Sequence, residues 1–164
     1  MDENPRAREG SNTSDTRKKV LFICTYNSAR SQMAEAFLNL LYGDRYQAFS
    51  AGTKPSRVHP LAVKAMAEVG IDISGYRSKG VEEFLDKTFQ TVVTVCDNAR
   101  EACPYFPGAH RQIHRGFEEP SSSEGSADEQ LVVFRRVRDN IRAWVSETFA
   151  QRSPTAATKI GSAV

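Results

Sequence analysis

Val20-Leu-Phe-Ile-Cys24-Thr-Tyr-Asn-Ser-Ala-Arg30-Ser31 decides how this chain folds. Val20 to Ile23 form a short unbroken apolar run, the pattern of a strand covered on both faces in a parallel sheet. Beyond a polar turn, Met33, Phe37, Leu40 and Leu41 recur at helical spacing until Gly43 offers a stop. Strand, turn and helix follow in order, with Cys24 closing the strand. In such a turn, successive backbone N–H groups and the helix N-terminus converge on a tetrahedral oxyanion, and the Arg30 guanidinium grips two of its oxygens. An anion cradle also stabilises a thiolate. Cys24 is therefore the candidate nucleophile, with Thr25, Tyr26, Asn27, Ser28, Ala29, Arg30 and Ser31 as the oxyanion-binding loop. The plainer reading is a buried cysteine at a strand end.

The same alternation continues outward. Tyr46 to Ser50 reads as a second strand, and Pro60 suits the first turn of a helix whose Leu61, Ala65, Met66 and Val69 share a face before Gly70. Thr91 to Val95 is the most β-branched stretch and predicts a buried strand ending at Cys96, with Arg111 to Phe117 a weaker fourth. Ser126-Ala-Asp-Glu129 is a capping pattern, and it opens a helix that turns Leu131, Phe134, Val137, Ile141 and Trp144 or Val145 inward. Strands joined by helical crossovers give an α/β fold, a three-layer sandwich with a parallel sheet flanked by helices. Ligands bind such sheets at the carboxyl ends of the strands. Cys24, Cys96 and Glu119 all fall there.

A chain of 164 residues is the size of one domain. Residues 1–19 and 150–164 lack apolar periodicity and read as flexible tails around a domain over 20–149. The formal charge of +2 arises in those tails, because Val20 to Phe149 hold 15 Lys/Arg and 16 Asp/Glu. That balance provides no basic face for nucleic acid. No apolar run is long enough to span a membrane, and no signal peptide is visible, so a cytoplasmic location is expected. Three cysteines without an export signal argue against a structural disulfide framework.

Cys96-Asp-Asn-Ala-Arg-Glu-Ala-Cys103-Pro104 separates two thiols too widely for a zinc knuckle, and no metal site is expected. If residues 96–103 are helical, the two Cα atoms stand about 10 Å apart, against the roughly 4.4 to 6.8 Å of a disulfide. The segment must unwind to oxidise, or the thiols are unrelated. In Glu118-Glu119-Pro120, the proline biases Glu119 toward an extended backbone that aims a carboxylic acid at an anion site, although paired loop acids are more often merely solvated. His110 and His114 lie about 13 Å apart along a strand, too far to share a metal, and His59 borders a helix. None of the histidines is assigned a function.

Taken together, the chain from Val20 to Phe149 resembles the low-molecular-weight protein tyrosine phosphatase superfamily, and within it the thioredoxin-coupled arsenate reductases. The resemblance is carried by Cys24 to Glu35, Phe49-Ser-Ala-Gly52, Ala65 to Ser74, Val92 to Cys96, Cys103-Pro104, Gly116-Phe-Glu-Glu-Pro120 and Phe134 to Asp139. It implies a four-stranded sheet, no cofactor, a monomer, arsenate as substrate in arsenic detoxification and thioredoxin as reductant. It also implies Cys24 as nucleophile, Arg30 as oxyanion clamp, Cys96 and Cys103 as second and third redox cysteines, and Glu119 as general acid where aspartate is usual. Tyr26 stands where glycine is common. Some relatives bind potassium beside the loop. Asn27, Glu35 and Ser50 match that pattern, whereas Arg77 and Lys79 replace uncharged or acidic ligands, so a side-chain cation is expected in place of the ion. A phosphotyrosine phosphatase using Cys24, Arg30 and Glu119 alone is the alternative.

Overall fold

The computed structural model describes residues 15–150. The expected flexible tails fall mostly outside those residues. Strands β1 (Lys18–Cys24), β2 (Tyr46–Gly52), β3 (Phe89–Thr94) and β4 (Ala109–His114) form one sheet in the order β2-β1-β3-β4, with every pair parallel. Helices α1 (Arg30–Tyr42), α2 (Pro60–Glu68), α3 (Asp97–Ala102) and α4 (Ala127–Phe149) alternate with them, and 3₁₀ turns lie at Val81–Phe84 and Pro120–Ser122. This is the α/β sandwich that the periodicities predict.

β1 is central and dry: Val20 to Ile23 are fully buried, so its side chains need apolar partners on both faces. The chain leaves β1 for β2 on one side and returns to β3 on the other. That reversal of direction opens a crevice at the carboxyl ends of β1 and β3, the place where open parallel sheets bind ligands. Cys24 ends β1 there, and Val95 donates to the Ile23 carbonyl just before Cys96.

The last helix begins with the expected cap. The Ser126 hydroxyl accepts from the Glu129 amide, and the Glu129 carboxylate accepts from the Ser126 amide. Leu131, Phe134, Val137, Ile141 and Val145 are buried, while Trp144 is half-buried and packs edge-on against Phe22 and Phe149. His59 caps α2, its Nδ1 accepting from the Leu61 amide.

Three boundaries and one side chain differ from the sequence reading. Lys18 and Lys19, assigned there to a tail, pair with Tyr46 and Gln47. β3 stops at Thr94, so Cys96 caps α3 instead of ending a strand. β4 spans Ala109–His114 and not Arg111 to Phe117: its register with β3 ends at Thr94 and His114, and beyond it only the Arg115 and Phe117 amides still bond back, to the carbonyls of Thr94 and Val95. Leu40 is exposed and Leu38 takes a core position, since α1 packs against both the sheet and α4 and its buried face is broader than one stripe.

Candidate active site

The loop between β1 and α1 turns its carbonyls toward neighbouring segments. The carbonyls of Cys24, Thr25, Tyr26 and Ser28 accept from the amides of Thr53, Lys54, Ser56 and His59 at 2.7 to 3.1 Å. The amides of Tyr26, Asn27, Ser28 and Ala29 donate to no protein acceptor among the described residues. A loop whose acceptors are satisfied behind it and whose donors are free is built for an anion. Gly52 makes the close approach possible, because a Cβ there would lie 2.6 Å from the Thr25 carbonyl oxygen and 2.8 Å from the Asn27 nitrogen.

Asn27 fixes the turn. It has φ of 51°, the one positive value for a non-glycine among the described residues, and it is fully buried. Asparagine tolerates this left-handed conformation because its short side chain finds local partners. Here Oδ1 accepts from Gln32 Nε2 and the Lys79 amide, both at 2.8 Å, and Nδ2 donates to Ser31 Oγ at 2.8 Å. The last bond has a chemical consequence. An amide nitrogen is donor-only, so Ser31 Oγ accepts from it and is held 2.8 Å from Cys24 Sγ, within hydrogen-bond reach of the sulfur.

Arg30 is buried, reaches under the cavity mouth, donates from Nη1 to the Phe117 carbonyl at 3.1 Å and pairs through Nη2 with Glu119 Oε1. The other oxygen of Glu119 accepts from the Ser121 amide. Arg30 and Glu119 thus meet at one cavity, and Cys24 begins the loop that leads to Arg30. The cavity above them has a volume of about 830 Å³ and is walled by Thr25, Tyr26, Asp97, His114, Phe117 and Ser122, among others. Tyr26 is half-exposed at its rim.

The other two cysteines occupy contrasting surroundings. Cys96 is buried, and its sulfur accepts from the Ala99 amide at 3.3 Å while lying 3.3 Å from Thr25 Oγ1, the residue after Cys24. Cys103 is half-buried at the far end of α3, with its S–H donating to the Pro104 carbonyl, and burial pushes its thiol up to about 11. Helix α3 separates the two sulfurs, and all three cysteines are free thiols.

Beneath the loop, the Lys79 ammonium donates to the Arg77 carbonyl at 2.9 Å and to Ser50 Oγ at 3.4 Å, and lies 3.8 Å from Glu35 Oε1. Ser50 Oγ donates to the same carboxylate oxygen at 2.5 Å. Burial raises the Glu35 carboxyl above its ordinary value, against the opposing pulls of Ser50 and Lys79. These oxygens already face an ammonium group, so the donor set does not fit a potassium ion.

The family model for low molecular weight phosphotyrosine protein phosphatase matches residues 19–153. The chain belongs to this phosphatase family. Within that family it is similar to an arsenate reductase of Halalkalibacterium halodurans, with 43% identity over 135 residues that cover 82% of this chain and 96% of that protein. It is also similar to a solved arsenate reductase in the phosphate-binding state, with 37% identity and a TM-score of 0.69 over 83% of this chain and 99% of that one. A thioredoxin-dependent arsenate reductase of Corynebacterium glutamicum shares 28% identity with a TM-score of 0.58, over 86% and 67% of the respective chains. No helix among the described residues of this phosphatase-family chain is long and apolar enough to cross a membrane.

One residue at the cavity escaped the sequence reading. His114 is the last residue of β4, facing the pocket with Thr94 Oγ1 at 2.8 Å from Nδ1 and Asp97 Oδ1 at 3.0 Å from Nε2. The signal existed, since functional groups gather at carboxyl strand ends. The sequence reading weighs His114 only as a metal ligand beside His110, on a strand drawn from Arg111 to Phe117, and assigns it no function.

Proposed function

We propose that this protein reduces arsenate to arsenite through a relay of Cys24, Cys96 and Cys103, regenerated by thioredoxin. The observation that carries the reading is the bridge from the loop to the second thiol. Thr25, joined covalently to Cys24, lies against the Cys96 sulfur at 3.3 Å, so the second thiol borders the loop that begins at the first, at one end of adjacent strands. Hydrolysis of a phosphate ester needs only the first of them. Phosphorus(V) is not reduced by thiols, whereas arsenic(V) accepts two electrons, and one disulfide supplies two.

In the first step the Cys24 thiolate attacks arsenate held by Arg30 and the loop amides, and Glu119 protonates the departing oxygen. Cys96 then attacks the Cys24 sulfur. The S–As bond breaks, arsenic leaves as arsenite with the electron pair, and a Cys24–Cys96 disulfide remains. Cys103 attacks Cys96 and displaces Cys24, and α3 unwinds to present a Cys96–Cys103 disulfide to a dithiol reductant. The thiols and the proposed reductant both call for a reducing compartment, which supports a cytoplasmic location. The arsenate reductases to which the chain is similar support the substrate, and the thioredoxin-dependent neighbour supports the reductant.

A phosphotyrosine phosphatase would use Cys24, Arg30 and Glu119 in the same way. The aromatic side chains of the cavity wall are Tyr26 and Phe117, with Ser121 and Ser122 beyond Glu119; the Cys96 sulfur beside Thr25, for which hydrolysis has no use, favours the reductase. The deciding assay is arsenite production driven by thioredoxin, thioredoxin reductase and NADPH, set beside hydrolysis of an aryl phosphate. Aryl phosphate turnover without arsenite would overturn the proposal.

A further inference from the structure

His114 grips the chain on both sides of Cys96. Its Nδ1 lies 2.8 Å from the hydroxyl of Thr94, two residues before that cysteine, and its Nε2 lies 3.0 Å from the carboxylate of Asp97, the residue after it. One tautomer satisfies both contacts, with Nε2–H donating to Asp97 and Nδ1 accepting from the Thr94 hydroxyl, and the imidazolium would also retain both by donating twice. Gly116 packs tightly behind, where a Cβ would lie 3.3 Å from both Asp97 Oδ1 and His114 Nε2. The same imidazole borders two cavities: the one above Arg30, and a smaller one of about 210 Å³ lined by Cys103, Arg100 and Gln112. His114 thus stands between the cavity that Thr25, the neighbour of both Cys24 and the Cys96 sulfur, helps to line and the cavity that Cys103 lines.

We propose that His114 is a positioning residue of the thiol relay, holding Cys96 against the loop during the first disulfide and releasing Asp97 when the disulfide passes to Cys103. The inference rests on the three-cysteine reading above. Asp97 is the first residue of α3, a helix of only six residues with one buried side chain, Ala99, so little packing resists its opening. The bond to His114 is a long-range tie on that helix, formed by a residue 17 positions away. During transfer the Cys103 thiol gives its proton to solvent, its sulfur bonds to Cys96, and the Cys24–Cys96 bond breaks as Cys24 leaves as a thiolate. The disulfide moves without net oxidation. It requires unwinding of α3, and the Asp97 contact is then lost.

Two variants test this in the full chain. Asp97→Ala cuts only the release contact, whereas His114→Ala frees both flanks of Cys96. Amide hydrogen exchange over residues 97–102 should accelerate about fivefold in Asp97→Ala, the change expected for one hydrogen bond. After one equivalent of arsenate, quenched disulfide mapping should show transfer to Cys103 accelerated by a similar factor relative to formation of Cys24–Cys96, the latter measured in a Cys103→Ser background. His114→Ala should also slow formation of Cys24–Cys96, while His114→Gln, which retains a donor amide, restores part of it. Unchanged exchange and an unchanged ratio of the two rates in Asp97→Ala would overturn the proposal. If wild-type protein forms no disulfide with arsenate, the relay reading fails instead, and the exchange experiment still reports whether the tie exists.

Discussion

Arg30 and Glu119 form an ion pair at the cavity, so the proposed clamp for the oxyanion and its proposed general acid are held by one another. Both are engaged further, Arg30 by the Phe117 carbonyl and Glu119 by the Ser121 amide. An arriving arsenate dianion competes with the carboxylate for the guanidinium. Binding therefore frees the Glu119 carboxylate, which takes a proton from solvent and passes it to the leaving oxygen. Replacing Glu119 with Gln should lower kcat by about 10²-fold or more, the usual contribution of a positioned acid. The KM for arsenate should fall at the same time, because the competing charge is gone. A steady-state measurement in which both parameters worsen would count against this arrangement.

Cys103→Ser separates reduction from hydrolysis. The variant should stall after about one turnover, with Cys24 and Cys96 joined, because no third thiol remains to displace the bond. Aryl phosphate hydrolysis, measured beside it, should be untouched. Sustained arsenite release by this variant in the coupled assay would show that Cys96 is reduced directly.

Burial raises the Cys103 thiol from 9.0 to about 11, and this has a pH signature. The folded protein binds this proton more tightly than the unfolded segment does. The resulting stability is complete below pH 9.0 and disappears as the pH rises toward about 11. The end of α3 should therefore open more readily across that window. Hydrogen exchange at residues 97–103, corrected for its intrinsic pH dependence, checks this, and Cys103→Ser should abolish the effect.

The ammonium of Lys79 sits among Glu35, Ser50 and the Arg77 carbonyl. Exchanging sodium for potassium should consequently leave both Tm and activity unchanged. Lys79→Ala strands a largely buried carboxylate and should cost about 1–3 kcal/mol, the range for an unsatisfied buried polar group. Potassium should then restore part of the loss where sodium does not. A potassium-specific rise in the wild-type Tm would contradict the observed placement.

Gly52 faces the loop too closely for any side chain. Gly52→Ala should displace the Thr25 and Asn27 backbone, at a cost of about 1–3 kcal/mol typical of overpacking. Anion affinity should fall more than stability, measured by the Tm shift that phosphate produces in variant and wild type.

What local sequence encodes was readable, and what arises between distant segments was not. The run Val20 to Cys24 and the spacing to Arg30 placed the loop, because a buried strand and an anion turn are written in adjacent residues. Ser126 and Glu129 announced their helix for the same reason. Leu40 misled, since periodicity detects an apolar stripe but not how many neighbours cover a helix. His114 was passed over because its meaning depends on Asp97 and Thr94, which belong to other elements, and on a strand end that only pairing with β3 determines. Lys79 falls between these cases. Its unusual charge was visible, but the oxygens around it come from α1, β2 and the backbone at Arg77.

The shielded proton on Cys103 also bears on the idle molecule. Peroxide, oxygen and stray metal ions attack thiolates in preference to thiols. The outermost sulfur of the three is locked as S–H against the Pro104 carbonyl until the helix beside it melts. In the proposed relay, the sulfur that passes the disulfide outward is therefore guarded from such oxidants until α3 opens.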